Sequence, residues 1–200
     1  MTIDLKEQFK QLYTAPEKTP VFVDVPEQKI ISIAGTGDPY AASEFKDAVE
    51  ALFEVAHRIM FACEKLGNPF VVMPLEGQWW TEGMKPLSTL HKDAWKWELF
   101  IVQPDFVTKE IFDVAVKEMA AGGNHPALSK IEFKTINEGK SVQVMRIGSF
   151  NNQALTNAAI DDFINSNGCR MNGKHHEIYL SDARTVAPGK QETIIRQPVA

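Results

Sequence analysis

The stretch from Ser43 to Lys65, SEFKDAVEALFEVAHRIMFACEK, most narrows what this chain can fold into. Phe45, Ala48, Val49, Leu52, Ala56, Ile59, Met60 and Cys63 recur at helical spacing, which makes one stripe of a long helix apolar and the rest charged. Such a stripe has to be buried against another layer. The segments on either side supply that layer: QKIISIAGTG before it, then NPFVVMPLEGQWW and AWKWELFIVQP after it, read as strands punctuated by Gly and Pro. Gly67 is placed to stop the helix.

The same order of elements returns further along. Residues 108–121 read as a second helix with Thr108 as N-cap and Gly122 and Gly123 at its end. KIEFKTINEGKSVQVMRIGSF reads as a hairpin around Asn137 to Gly139. QALTNAAIDDFINSNG is a third helix with Leu155, Ala158, Phe163 and Ile164 inward and Gly168 as its stop, and KHHEIYLSD and KQETIIRQPV are the last strands. The expected organisation is an N-terminal helical extension at 1–20, running into the connector TAPEKTP, and a single domain at 21–200. Within that domain, repeat one spans about 28–103, a linker helix about 108–121 and repeat two about 131–198. The fold class is α+β: tandem pseudo-symmetric strand-helix-strand-strand repeats form antiparallel sheet surfaces around a ligand cavity, with helices on the outside.

Composition excludes several classes of function. A formal net charge of -5 and the lack of any Lys/Arg-rich run argue against nucleic-acid binding, which needs clustered positive surface. The opening MTIDLKEQFKQLY has no apolar signal core, and no segment approaches the length of apolar sequence a membrane helix needs, so the expectation is a cytoplasmic protein with no membrane partner. Cys63 and Cys169 are too few for a disulfide framework. AGTGDP lacks the Lys and Ser/Thr of a phosphate loop, and no Gly-x-Ser-x-Gly elbow occurs. His175 and His176 are adjacent on a strand and point to opposite faces, so the expectation is no metal and no cofactor.

Three places concentrate unusual side chains. PLEGQWW sets Glu76 beside Trp79 and Trp80, only one of which can face a given side of a strand. WKWELFIV places Trp95, Trp97, Leu99 and Ile101 on one face. Four tryptophans between positions 79 and 97, near a carboxylate, suit a pocket that sandwiches a planar or cationic ligand as well as they suit a core. In KHHEIYLSDAR, the alternation puts His175, Glu177 and Tyr179 on one face, while Ile178 and Leu180 take the other and are expected to face the helices. That face is either solvated sheet or ligand site, and in a dry cavity Glu177 becomes a candidate for acid/base work or cation recognition.

Together PLEGQWW, WKWELFIVQPDFV and GKHHEIYLSDARTVAPGKQETIIRQPV resemble the stand-alone GyrI-like small-molecule-binding family, over most of the chain from about residue 20. The resemblance implies a fold like the drug-sensing domain of multidrug-responsive transcription activators, with paired modules enclosing a cavity. It also implies a cavity lined by aromatic residues around a buried acid, at positions matching Trp80, Trp97, Glu177 and Tyr179. Some stand-alone members are cyclopropanoid cyclohydrolases, which open the three-membered ring of DNA-alkylating natural products. Where many relatives carry His-x-Gly-Pro-Tyr, this chain reads Arg146-Ile147-Gly148-Ser149-Phe150, and Phe150 has no hydroxyl to take a phenol's role.

Two functions follow as expectations. One is a hydrolase in which Glu177 deprotonates water, Tyr179 orients the developing oxyanion, and Trp79, Trp80, Trp97, Glu76, His175 and Phe150 line the ligand site. The other is a non-catalytic binder that sequesters amphipathic aromatic cations on the same residues. Either way the partner is a small aromatic molecule, the chain is a monomer or homodimer, and no DNA-binding domain is expected.

Overall fold

The computed structural model describes residues 2–39, 43–85, 87, 91–123, 125–148, 153–182 and 185–200. The chain divides into two compact units, one made of Met1–Gln8 and Gln28–Ile136, the other of Phe9–Glu27 and Asn137–Ala200.

In the first unit a single-turn helix α1 (Leu5–Gln8) lies close to a parallel bridge between Ile3 and Phe70. Strand β2 (Gln28–Thr36) leads into the long helix α3 (Ser43–Lys65), followed by β3 (Glu76–Thr81), β4 (Trp95–Gln103), helix α4 (Lys109–Ala121) and β5 (Glu132–Ile136). The four strands are antiparallel in the order β3-β4-β2-β5. Helix α3 buries Ala48, Ala51, Leu52, Val55, Ala56, Ile59 and Cys63, and it packs on β2, β4 and α4. Buried Leu52, Val55 and Ile59 contribute roughly 1.5–3 kcal/mol each, so this stripe is the main reason the segment is helical. Gly67 ends it at φ 84°, with the Asn68 amide donating back to the Cys63 carbonyl. That is the left-handed cap glycine adopts without strain. Helix α4 starts as expected, with the Thr108 hydroxyl accepting from the Ile111 amide.

In the second unit the single-turn helix α2 (Lys10–Tyr13) and strand β1 (Val21–Val25) precede β6 (Gly139–Ile147), helix α5 (Gln153–Ser166), β7 (His175–Tyr179) and β8 (Glu192–Pro198). These strands are also antiparallel, in the order β1-β6-β8-β7. The two units therefore repeat one plan: strand, helix, strand, strand, with the third strand of each repeat pairing both of the others. The α+β class and the tandem repeat stand as the sequence predicts. Among the described residues no helix is long and apolar enough to cross a membrane.

Three expectations about local structure are overturned. The segment around Asn137 is not a hairpin: β5 pairs with β2, and β6 pairs with β1 and β8. The edge of β2 takes β5, and Val21–Val25, unassigned in the sequence, covers the outer edge of β6. Leu155 is 81% exposed rather than inward, because Ile160 and Ile164 are the α5 residues that meet Val142, Val144 and Ile195. Finally, Ile178 does not face the helix. Glu177 lies opposite Ile195, which lies opposite Val144, and both aliphatics pack against α5. Directly paired residues share a face, so His175, Glu177 and Tyr179 are on the helix-bearing side.

Candidate functional site

Each repeat places a cluster of unusual side chains on the helix-bearing face of its own strands. In the first unit, Trp79 of β3 lies directly opposite Trp97 of β4, and Trp97 lies opposite Gly35 of β2. Phe45 of α3 meets both rings, edge-on to Trp97 at 5.3 Å and stacked on Trp79 at 5.8 Å, and Trp95 meets Trp79 edge-on at 6.1 Å. Such pairs add about 0.5–1.5 kcal/mol each beyond burial. Trp95 Nε1 donates to the Leu87 carbonyl. Trp97 is fully buried, and its Nε1–H has no hydrogen-bond partner among the described residues.

Gly35 is what lets Trp97 lie down on the sheet. A Cβ at position 35 would stand 2.2 Å from Trp97 Cζ2. Gly35→Ala is therefore expected to force the indole off its seat and destabilise the protein by about 1–3 kcal/mol in urea unfolding, with a shifted tryptophan emission. Stability within about 0.5 kcal/mol of wild type would show that the ring moves freely.

Trp80 and Glu76 do not join this cluster. By register they lie on the other face of the same sheet, with Trp80 opposite Lys96 and Glu76 opposite Phe100. That face is buried and polar, carrying Gln78 and Glu98, the latter paired with Lys134 at 2.5 Å. The pairing of Glu76 with the tryptophans thus divides by strand parity: Trp79 goes with Trp97, and Trp80 with the carboxylate.

In the second unit the cluster centres on Glu177, which is 3% exposed. His175 Nε2 donates to its Oε1 at 3.3 Å. The Tyr179 hydroxyl also hydrogen-bonds the carboxylate. Arg146 of β6, itself 3% exposed, brings Nη1 to 3.9 Å from Oε1. Arg146 and Tyr179 both lie opposite Thr193 of β8, which sets them on one row across three strands. Burial alone would raise the Glu177 pKa. The His175 hydrogen bond and charge, the Arg146 charge and the Tyr179 hydrogen bond outweigh it and hold the carboxyl below its ordinary value. Glu177 is therefore a buried carboxylate, not a buried acid.

His176 points the other way, to Glu138 Oε2 at 3.0 Å, so the two histidines serve different faces. Among the described residues no group of three metal-ligating side chains occurs. Phe150 lies outside the described residues. A shallow groove along β1 is lined by Gln11, Phe22, Asp24 and Gln143 among others, and none of the predicted site residues lines it. Arg146 is the site residue that sequence reasoning did not single out. Its one available signal was a cation at period two inside the apolar run SVQVMRI.

The family model for the GyrI-like small molecule binding domain matches residues 18–200. The chain belongs to the GyrI-like small-molecule-binding family. Three solved structures from Listeria innocua resemble this GyrI-like domain along the full length of both chains. One, an uncharacterized conserved protein, is 38% identical with a TM-score of 0.89. The other two, described as hydrolases, are 36% and 37% identical with TM-scores of 0.84 and 0.86. No curated protein sequence matches this GyrI-like domain.

Proposed function

We propose that this GyrI-like domain is a hydrolase that opens the activated cyclopropane of planar, DNA-alkylating natural products, acting in the cytoplasm as a detoxifying enzyme. The observation that carries the reading is the state of Glu177: a buried carboxylate kept ionised by His175, Tyr179 and Arg146. A carboxylate so held is a base and not a proton donor. It accepts a proton from water as the water oxygen bonds to a ring carbon. The cyclopropane C–C bond breaks, its electron pair moves through the conjugated system to a carbonyl oxygen, and that oxygen finally takes the proton. The net change is addition of one water, driven by ring strain. Two relatives of more than one-third identity described as hydrolases agree with a hydrolytic assignment. Aromatic side chains suit flat substrates, and Tyr179 stands beside the carboxylate within the same unit.

The test is incubation with a panel of cyclopropane-bearing alkylators and planar cations, followed by mass spectrometry of ligand and protein. A product heavier by one water supports the reading. Tryptophan quenching by the same compounds with no product after hours would leave a non-catalytic sequestering protein instead.

The pH dependence has a definite sign. Because the folded pKa of Glu177 lies below its ordinary 4.5, the unfolded chain binds the proton more readily in the window between the two values. The stabilisation from this carboxylate is fully present above 4.5 and is lost as pH falls through the lower, folded value. Turnover per free enzyme should accordingly show no acid limb above about pH 4.5. An acid limb near pH 6 would mean that the essential base is not a carboxylate held below about 4.5, and loss of rate on the alkaline side of pH 6 would mean that the essential group acts as an acid.

A further inference from the structure

We infer that the Glu177 site selects neutral planar molecules bearing a conjugated carbonyl over permanent organic cations, and that Arg146 sets this preference. The inference rests on the placement of the ligand site at Glu177. A site that recognises cations through a buried acid needs that acid's charge to be unbalanced. Here the charge is balanced from within the same sheet. Arg146 is as deeply buried as Glu177 and stands 3.9 Å from it, close enough for strong charge interaction and too far for a hydrogen bond at that oxygen. A guanidinium does not lose its proton in proteins, so its positive charge is permanent. His175, at the same Oε1 oxygen of the carboxylate, brings a ring N–H and no negative charge. Asp161 of α5 interacts electrostatically with His175, but it is exposed and water screens it. A permanent cation entering this cluster gives up its hydration and meets Arg146, whose charge already offsets that of Glu177.

A carbonyl oxygen is complementary to the same arrangement. As the cyclopropane opens, negative charge grows on that oxygen while Glu177 is taking the proton from water. Arg146 then faces a developing oxyanion in a buried setting, where a fixed positive charge is most effective. Arg146 thus serves both the choice of ligand and the ring-opening step, with the electron pair ending on the oxygen beside it.

Charge preference can be read without turnover, by fluorescence titration with tetraphenylphosphonium, the isosteric anion tetraphenylborate, and flavone as a neutral conjugated carbonyl. Wild type is expected to bind flavone at least about tenfold more tightly than tetraphenylphosphonium. Arg146→Met should shift the ratio toward the cation by about tenfold or more, and Glu177→Gln should shift the tetraphenylborate-to-tetraphenylphosphonium ratio about as far toward the anion. Far-UV circular dichroism checks that both variants fold. If Arg146→Met does not, the Glu177→Gln arm and the wild-type order still decide. Equal or tighter binding of the cation by wild type, or ratios unchanged within about twofold in the folded variants, would overturn the inference. Cation-first binding accompanied by ring opening sinks only this inference. The expected charge order without any product sinks the hydrolase proposal and leaves the preference standing.

Discussion

Turnover of a cyclopropane-bearing alkylator should fall by roughly 10²–10⁴-fold in Glu177→Gln, the loss typical of removing a general base. The amide keeps the shape of the side chain and can still accept from His175 and Tyr179, but it cannot take a proton from water. Substrate binding should survive, so the defect belongs in kcat rather than KM. Folding will not be untouched. The exchange removes the negative charge beside Arg146 in a buried setting, and breaking a buried charge pair from one side is destabilising. The double variant Glu177→Gln with Arg146→Met should recover much of that stability while remaining inactive. Single-turnover rates within tenfold of wild type would remove Glu177 from the chemistry and return the site to a binding role.

What the sequence shows and what it hides divide along local and non-local physics. The stripe in Ser43–Lys65, the Thr108 cap and the Gly67 stop depend on residues a few positions apart, and the structure forms them where expected. The period of two in KHHEIYL likewise shows that His175, Glu177 and Tyr179 share a face. It cannot show which face, because that is decided by distant strands. Only the register of Glu177 against Ile195, and of Ile195 against Val144, puts the cluster under α5. Arg146 was hidden for the same reason: it is more than thirty residues from Tyr179 in sequence, and they come together only because each faces Thr193. The pairing of β5 with β2 instead of its sequence neighbour β6 is again a choice between edges that no short window contains. Even the five-residue β1, bracketed by Pro20 and Pro26, needs the edge of β6 to become a strand.

Arg196→Met should produce the largest loss of stability of any single change considered, about 3–5 kcal/mol. Arg196 is 1% exposed and sits on the face of the second unit's strands away from α5. Its Nη2 donates to the Leu12 carbonyl at 2.6 Å, its Nε to Gln143 Oε1 at 3.1 Å, and its Nη1 stands 3.6 Å from Glu138 Oε2. Gln143 in turn donates to the carbonyls of Gln11 at 2.8 Å and Thr14 at 3.0 Å. The backbone amide of Met145 donates to the Pro16 carbonyl. The turn α2 is too short to be helical on its own, so these donors are what hold it to the sheet. Methionine keeps the volume but leaves the Leu12 carbonyl without its donor and removes one charge from the pair with Glu138, and both losses fall in a buried setting. For a chain of 200 residues such a loss corresponds to a fall in Tm on the order of 10 °C. Hydrogen exchange should localise it, with residues 9–16 losing protection before the strands of the same unit. A loss below about 1 kcal/mol, or unchanged protection of that segment, would mean that Leu12 and Tyr13, both buried, hold the turn by packing alone.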